Sequence, residues 1–270
     1  MKENAAAPSD QLTVFTKAVL GSVAATAEAL INNPLAVIKT RMQSNRPFTL
    51  KPSILMSGVG LNAVGMAPMV ATQVTIDDLI KKWLSKKTGK TSQKQRLFSG
   101  FLGGFFSAAV VTPTEVVFTL LQQEGVKQNS IQLTRMLLKQ NQGVRHLFTG
   151  FFETGLRIAV PAAGFLAGVP ILAEQLKERK TNSFLAWFVA GTSVGISTAL
   201  VTQPLDTVKT ERQRHLKPKS TLGTIVEIYS KRGVYGFFVG GLPRIIRVTS
   251  AVAVMGSLNE KLKSLLTQQT

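Results

Sequence analysis

Cysteine is absent from the 270-residue chain, which excludes disulfides and thiolate metal sites. Histidine is scarce. His146 and His215 are the two, and both fall in polar connecting segments, where a surface position is expected rather than a ligand role. Acidic residues are few, 14 against 32 lysines and arginines, leaving a formal charge of +18. Residues 1–10 contain neither the apolar core of a signal peptide nor an Arg-rich presequence, so any import address is expected to be internal. There is also no nucleotide-hydrolysis loop, catalytic triad or metal-ligand cluster. No enzyme activity, cofactor or metal site is therefore expected.

The apolar residues make up 44% of the chain, an ordinary share, but they are gathered into long stretches with few charges. Segments 12–32, 61–76, 97–112, 151–172, 184–202 and 240–258 are candidate spanning helices. Several hold internal polar residues, which suits helices lining a watery cavity. The basic residues crowd the ends of these stretches, as at Lys81, Lys82, Lys86, Lys87, Lys90 and Lys94. That placement fits a bilayer with anionic headgroups such as cardiolipin. No nucleic-acid motif accompanies the charge, so nucleic acid is not an expected partner. The lysines and arginines are near balance between the two sides, so the positive-inside rule assigns no orientation.

A repeat organises the chain. Gly21, Gly100 and Gly191 each precede a proline by 13 residues, at Pro34, Pro113 and Pro204. Four positions after each glycine stands another small residue, Ala25, Gly104 and Gly195. This small-xxx-small spacing lets helices approach closely. The prolines open the segments PLAVIK, PTEVVF and PLDTVK and are expected to kink their helices. Two positions after proline come Ala36, Glu115 and Asp206, and five after come Lys39, Phe118 and Lys209. A second half-repeat starts at Gly58, Gly150 and Gly240. Asp78 and Glu260 follow the first and third by twenty residues, and Lys81 and Lys263 stand three further on. In the middle repeat Glu174 and Lys177 are displaced by four residues, about one helical turn. The expected architecture is an all-α membrane protein: six transmembrane helices in three pseudo-symmetric pairs, at about 12–87, 94–179 and 183–266, forming one domain over 1–270.

Three proline segments in register, each behind a Gly–small pair and together carrying two of three acids and two of three bases of a Pro-x-acid-x-x-base motif, resemble the mitochondrial carrier family over about residues 12–265. The aromatic-x-Gly openers Phe148-Thr149-Gly150 and Phe238-Val239-Gly240 match as well. Repeat one is divergent. Met56-Ser57-Gly58 lacks the aromatic, and the connection from Pro34 to Gly58 is short, so the short matrix helix of the family is expected to be truncated or absent there. The divergence also leaves open an origin outside the host nucleus. The resemblance implies a multi-pass, monomeric protein of the mitochondrial inner membrane with both termini in the intermembrane space.

Charges inside a helical bundle are costly unless paired. The resemblance implies that each acid of the proline motif meets the base of the following repeat. Glu115 then pairs with Lys209, and Asp206 with Lys39. The third pair is Ala36 with Phe118: the missing acid and the missing base are partners in one lost bridge, which leaves an apolar contact instead of a stranded charge. The opposite end is expected to close through Asp78, Lys81, Glu174, Lys177, Glu260 and Lys263. Two such rings imply alternating access around a central site, with the substrate supplying the energy that breaks each ring.

Seven residues past the helix-opening glycines stand Gly65, Arg157 and Arg247. The resemblance implies substrate contacts there: Arg247, Arg157 with Ile158, and Gly65 making room. Alignment on Glu174 instead places Pro161-Ala162 at the contact position, and Arg244 is a further candidate. Arginine forks favour an anion bearing phosphate or carboxylate. The expected function is exchange of anionic metabolites, with nucleotides such as ATP and ADP the first choice, although the motif of the ADP/ATP carriers is absent. The alternatives are a carboxylate carrier, a proton or fatty-acid leak, and a non-transporting receptor or scaffold. Glu28 is a second intramembrane charge, open to pairing with an arginine or to coupling a proton.

Overall fold

The computed structural model describes residues 14–44, 46–47, 49–88, 92–121, 129–139, 143–179, 182–215 and 219–252. Among them every regular element is a helix. The first repeat comprises α1 (Val14–Gln43), the single turn α2 (Pro52–Leu55) and α3 (Val59–Thr88). The second comprises α4 (Gln93–Leu121), the short α5 (Ser130–Lys139) and α6 (Gly143–Leu147), and then α7 (Phe151–Ala163) running through a π turn into α8 (Val169–Glu178). In the third, α9 (Ser183–Gln213) and α10 (Thr221–Arg232) precede α11, residues 241–252. A 30-residue helix such as α1 is about 45 Å long, enough to cross a hydrocarbon core of about 30 Å at a tilt.

The burial pattern is inside out. Glu28, Asn32, Asn33, Gln43, Thr202, Gln203, Asp206 and Lys209 are buried, while Val23, Ile31, Phe106, Phe152, Trp187 and Val201 face outward. Water would reverse that arrangement, whereas lipid favours it. By length and composition three described helical segments can cross a membrane unaided: Gln93–Leu121, Gly143–Glu178 and Ser183–Gln213. The carboxylate and two asparagines buried in α1 lower its apolar content.

The small-xxx-small faces join the two long helices of each repeat. A Cβ on Gly21 would come within 2.9 Å of Val70 in α3. One on Gly104 would meet Ala162 and Ala159 of α7 at 2.7 and 2.8 Å. In the third repeat, Gly191 and Gly195 lie against Val252 and Val248 of α11. The bundle closes where α11 meets α1, through Arg247–Glu28 and Ser250–Asn32 contacts.

Each long proline helix keeps its proline inside. The residue before the proline carries a further role absent from the sequence reading. Asn33 donates its side-chain amide to the Leu55 carbonyl at 2.8 Å, and Gln203 donates to the Val239 carbonyl at 2.9 Å. Both acceptors lie just ahead of the next long helix, so the kink is tied to the following turn. Those turns contain Gly58, Gly150 and Gly240, at φ of 74°, 78° and 79°. Only glycine takes that left-handed conformation without strain, which explains its recurrence as the helix opener.

Two irregularities have local causes. The four extra residues of repeat two are accommodated in a helix interrupted by the π turn Gly164–Gly168. The turn follows Arg157, so that residue keeps its place relative to Gly150. In repeat one the expected short matrix helix is reduced to α2, four residues against ten in α5 and twelve in α10. His146 departs from expectation: it is buried at 1% exposure, because α6 folds back beneath the buried cluster of Val116, Leu120, Leu133 and Leu137.

The tight approach of α4 to α7 yields a test. Gly104→Val should lower thermal stability by about 1–3 kcal/mol, because backbone atoms of α7 occupy the required space. Gly60→Ala, where nothing lies within 4 Å, should leave the melting temperature at or slightly above its starting value. Thermal unfolding in detergent compares the two.

Candidate functional site

At one end of the bundle the ends of α1, α4 and α9 converge. Lys39 pairs with Asp206 at 2.5 Å and Lys209 with Glu115 at 2.8 Å. Ala36 and Phe118 pack with Val37 in one buried apolar cluster. The six positions of the proline motifs are thus gathered as two ion pairs and one apolar contact. The lysine stems lie against the left-handed glycines: a Cβ on Gly150 would be 3.3 Å from Lys209 Cγ, and one on Gly240 would be 3.2 Å from Lys39 Cγ.

Arg157 makes contacts that spacing could not reveal. From α7 it donates to Glu115 at 2.6 Å and approaches Asp206 at 3.4 Å, crossing between the two ion pairs. The guanidinium therefore links the two surviving ion pairs. Gln43 adds a hydrogen bond to Asp206 at 3.0 Å. Asp206 is fully buried; its Oδ2 accepts from Lys39 and Gln43, and its Oδ1 faces the Arg157 charge at 3.4 Å without a hydrogen bond. Removing a carboxylate so placed strands buried cations.

Above this layer lies a cavity of about 320 Å³. Its polar wall includes Glu28, Arg157, Arg244 and Arg247, and its apolar wall Met69, Ile158, Pro161 and Phe165. Pro161 and Ala162 line it together with Arg157, so both alignments of repeat two reach the same space. Arg247 binds Glu28 through both carboxylate oxygens, at 3.0 and 3.3 Å. Asn32 donates to the same carboxylate at 3.2 Å, and Ser250 donates to Asn32 at 2.6 Å. Arg244 is bound differently. It donates to Thr202 Oγ1 at 2.6 Å and to Gln203 Oε1 at 3.2 Å, both neutral. Among the described residues no carboxylate lies within ion-pair distance of it. Sequence spacing ranked Arg244 below Arg247, because a neutral partner leaves no mark in a charge pattern.

Two expectations need correction. Gly65 does not make room in the cavity: a Cβ there would lie 2.3 Å from Thr114 Oγ1, so its missing side chain serves the approach of α3 to α4. At the opposite end the described members of the expected ring make no ion pair between helices. Lys81 pairs with Asp77 at 2.6 Å and Lys82 with Asp78 at 2.8 Å, both within α3. Glu174 and Lys177 are exposed, and Glu260 and Lys263 lie outside the described residues. Pairs one turn apart on a single helix satisfy these charges locally when the neighbouring helices stand apart.

The buried pair predicts a specific pattern of stability. Asp206→Asn should destabilise the protein by about 3–5 kcal/mol, because Lys39 loses its counter-charge in a dry site. Lys39→Met added to Asp206→Asn should recover much of the loss. Melting temperatures of the two single variants and the double variant measure the coupling.

Comparison with known proteins places the chain in a family. The family described as Mitochondrial carrier protein matches residues 10–53, 90–179 and 180–270. The unmatched interval falls in the divergent half of repeat one. The mitochondrial citrate transporter A of Aspergillus niger is 28% identical over 265 residues, covering 90% of this chain and 89% of the relative. The mitochondrial succinate-fumarate transporter 1 of Arabidopsis thaliana is 27% identical over 291 residues, covering 94% of each. A mitochondrial glutathione transporter of Rattus norvegicus is 30% identical over 224 residues, covering 78% of this chain and 62% of the relative. With three repeats, an inside-out helical bundle and these relatives, the chain is a multi-pass protein of the mitochondrial inner membrane and belongs to the mitochondrial carrier family.

Proposed function

We infer that the protein carries a small di- or tricarboxylate across the inner membrane by alternating access. The observation that supports this most is the charge of the central chamber. Lys39, Arg157, Lys209, Arg244 and Arg247 face only three carboxylates, Glu28, Glu115 and Asp206. Two positive charges remain for a bound anion, and Arg244 is the cation held only by neutral groups. At about 320 Å³ the cavity is at the small end of the range for ligand sites, which suits a compact carboxylate better than a nucleotide. Nucleotides, the first choice from sequence, also find no counterpart among these relatives, whose names give citrate, succinate-fumarate and glutathione.

The two ion pairs with the Ala36–Phe118 contact then form the closed gate on the matrix side. The unlinked charges at the other end correspond to the state open toward the intermembrane space. A carboxylate entering from there first competes with Glu28 for Arg247. Deeper, toward the gate, it finds Arg244 as an uncommitted partner and competes with Glu115 and Asp206 for Arg157. Weakening those pairs lowers the cost of parting the helix ends, which is how differential binding drives a conformational change.

Uptake into proteoliposomes tests the reading, with labelled citrate, succinate, glutathione and ATP supplied outside and unlabelled anion inside. Carboxylate uptake that needs an internal carboxylate is expected, and identifies exchange. ATP uptake exceeding every carboxylate would overturn the substrate class. Arg244→Ala should reduce carboxylate uptake about 10–100-fold, the value of a charge-assisted hydrogen bond, with little loss of thermal stability. Arg247→Ala should lower both uptake and stability, because it strands Glu28. Adding Glu28→Gln should restore stability and not uptake.

A further inference from the structure

A second cavity, of about 820 Å³, opens at the matrix-side end between the end of α1, the end of α9 and α10. Its wall carries Arg46, Arg214, Lys231 and Arg232. The two acids that face it are already engaged. Glu211 pairs with Arg214 and with His215. Glu227 receives Lys219 at 2.8 Å and Lys231 at 2.5 Å, and these two lysines hold its carboxyl down to about 2. Arg232, by contrast, has as its hydrogen-bond acceptor the Gln43 carbonyl at 3.4 Å. A second, independent feature stands in the wall of the same space. Ser44 lines the cavity, is 6% exposed, and its buried hydroxyl has no hydrogen-bond partner. A buried hydroxyl is costly to leave unpaired.

We propose that this cleft binds a phosphate-bearing anion through Arg232, Arg46 and the Ser44 hydroxyl, and that the bound anion holds the matrix-side gate shut. The chemistry follows from the donor set: guanidinium forks and a hydroxyl are donors, and phosphate oxygens accept several hydrogen bonds at once. The effect on the gate follows from position. Ser44 lies five residues past Lys39, just beyond the end of α1, and Glu211 five past Asp206 on α9, so the cleft spans the two chain segments just beyond the Lys39–Asp206 pair. Arg214 already reaches the Ser44 carbonyl at 3.3 Å across this gap. An anion joining Ser44 and Arg46 to Arg232 would add a clamp that opening must break. Binding does not depend on the transport reading above, whereas inhibition rests on the gate assignment within it.

The ligand could be free in solution or be a lipid headgroup, and the experiment separates the two. The full chain, purified in neutral detergent, is titrated with pyrophosphate and, separately, with cardiolipin, while thermal unfolding is followed. Ligand at about 100 times its dissociation constant should raise the melting temperature by roughly 5 °C. Arg232→Gln and Arg46→Gln should each remove most of that rise. Arg247→Ala in the central cavity should retain it. A rise with pyrophosphate that the cleft variants remove assigns a soluble anion, and a rise confined to cardiolipin that they remove assigns a headgroup. A rise that survives both cleft variants, or no rise with either ligand, overturns the site. If binding is seen, pyrophosphate present on both faces of proteoliposomes should slow uptake by the unsubstituted protein and not by Arg232→Gln. Equal slowing of both would leave the binding site standing and sink the clamp.

Discussion

Among the described residues, five cations and three carboxylates surround the central chamber of a bundle whose outer face is lipid, and such charges persist only where ion pairs or hydrogen bonds hold them. This constraint links nearly every local feature of the structure. It explains why the lost acid at Ala36 is matched by the lost base at Phe118, since either loss alone would strand a charge. It explains why Arg157 spans Glu115 and Asp206, and why Gln43 adds a hydrogen bond to Asp206. Glycine and proline set the frame for this chemistry. The left-handed glycines accept the lysine stems, and the amides beside Pro34 and Pro204 tie each kink to the next helix.

Compensation within the chamber is incomplete by two charges, and function follows from that remainder. A fully neutral network would be more stable and would offer an anion nothing. Arg244 carries its charge on neutral partners, while Arg247 and Arg157 are held by carboxylates that a substrate can displace. In the proposed reading the same groups close the gate and bind the cargo. Competition between protein carboxylates and substrate carboxylates would then couple occupancy to opening without any distant signal.

Much of this was legible in sequence because the repeat displays its own logic three times. The motif positions could be read from register, and the resemblance to the carrier family implied the pairings of Glu115 with Lys209 and Asp206 with Lys39 and hence the joint loss at Ala36 and Phe118. The contacts that were missed involve side chains reaching across the pseudo-symmetry. Arg157 bridges two pairs, Arg244 rests on Thr202 and Gln203, and Gly65 yields to Thr114, and none of these contacts repeats at fixed spacing. Asp77 captured Lys81 because a partner one turn away on the same helix is closer than one on a separated helix. His146 looked exposed because its neighbours in sequence are polar, while the fold of α6 beneath α4 is a tertiary fact.

The central claim is that the ends of α1, α4 and α9 must separate for transport to occur. The absence of cysteine makes it directly testable, since the chain needs no background substitutions. Ala36 and Phe118 pack in one cluster at the convergence of these helices. Replacing both with cysteine and oxidising the pair in proteoliposomes should join α1 to α4. If the account holds, carboxylate uptake stops on crosslinking and returns on reduction, while each single-cysteine variant stays active under the same oxidant. Undiminished uptake by protein shown to be fully crosslinked would contradict it.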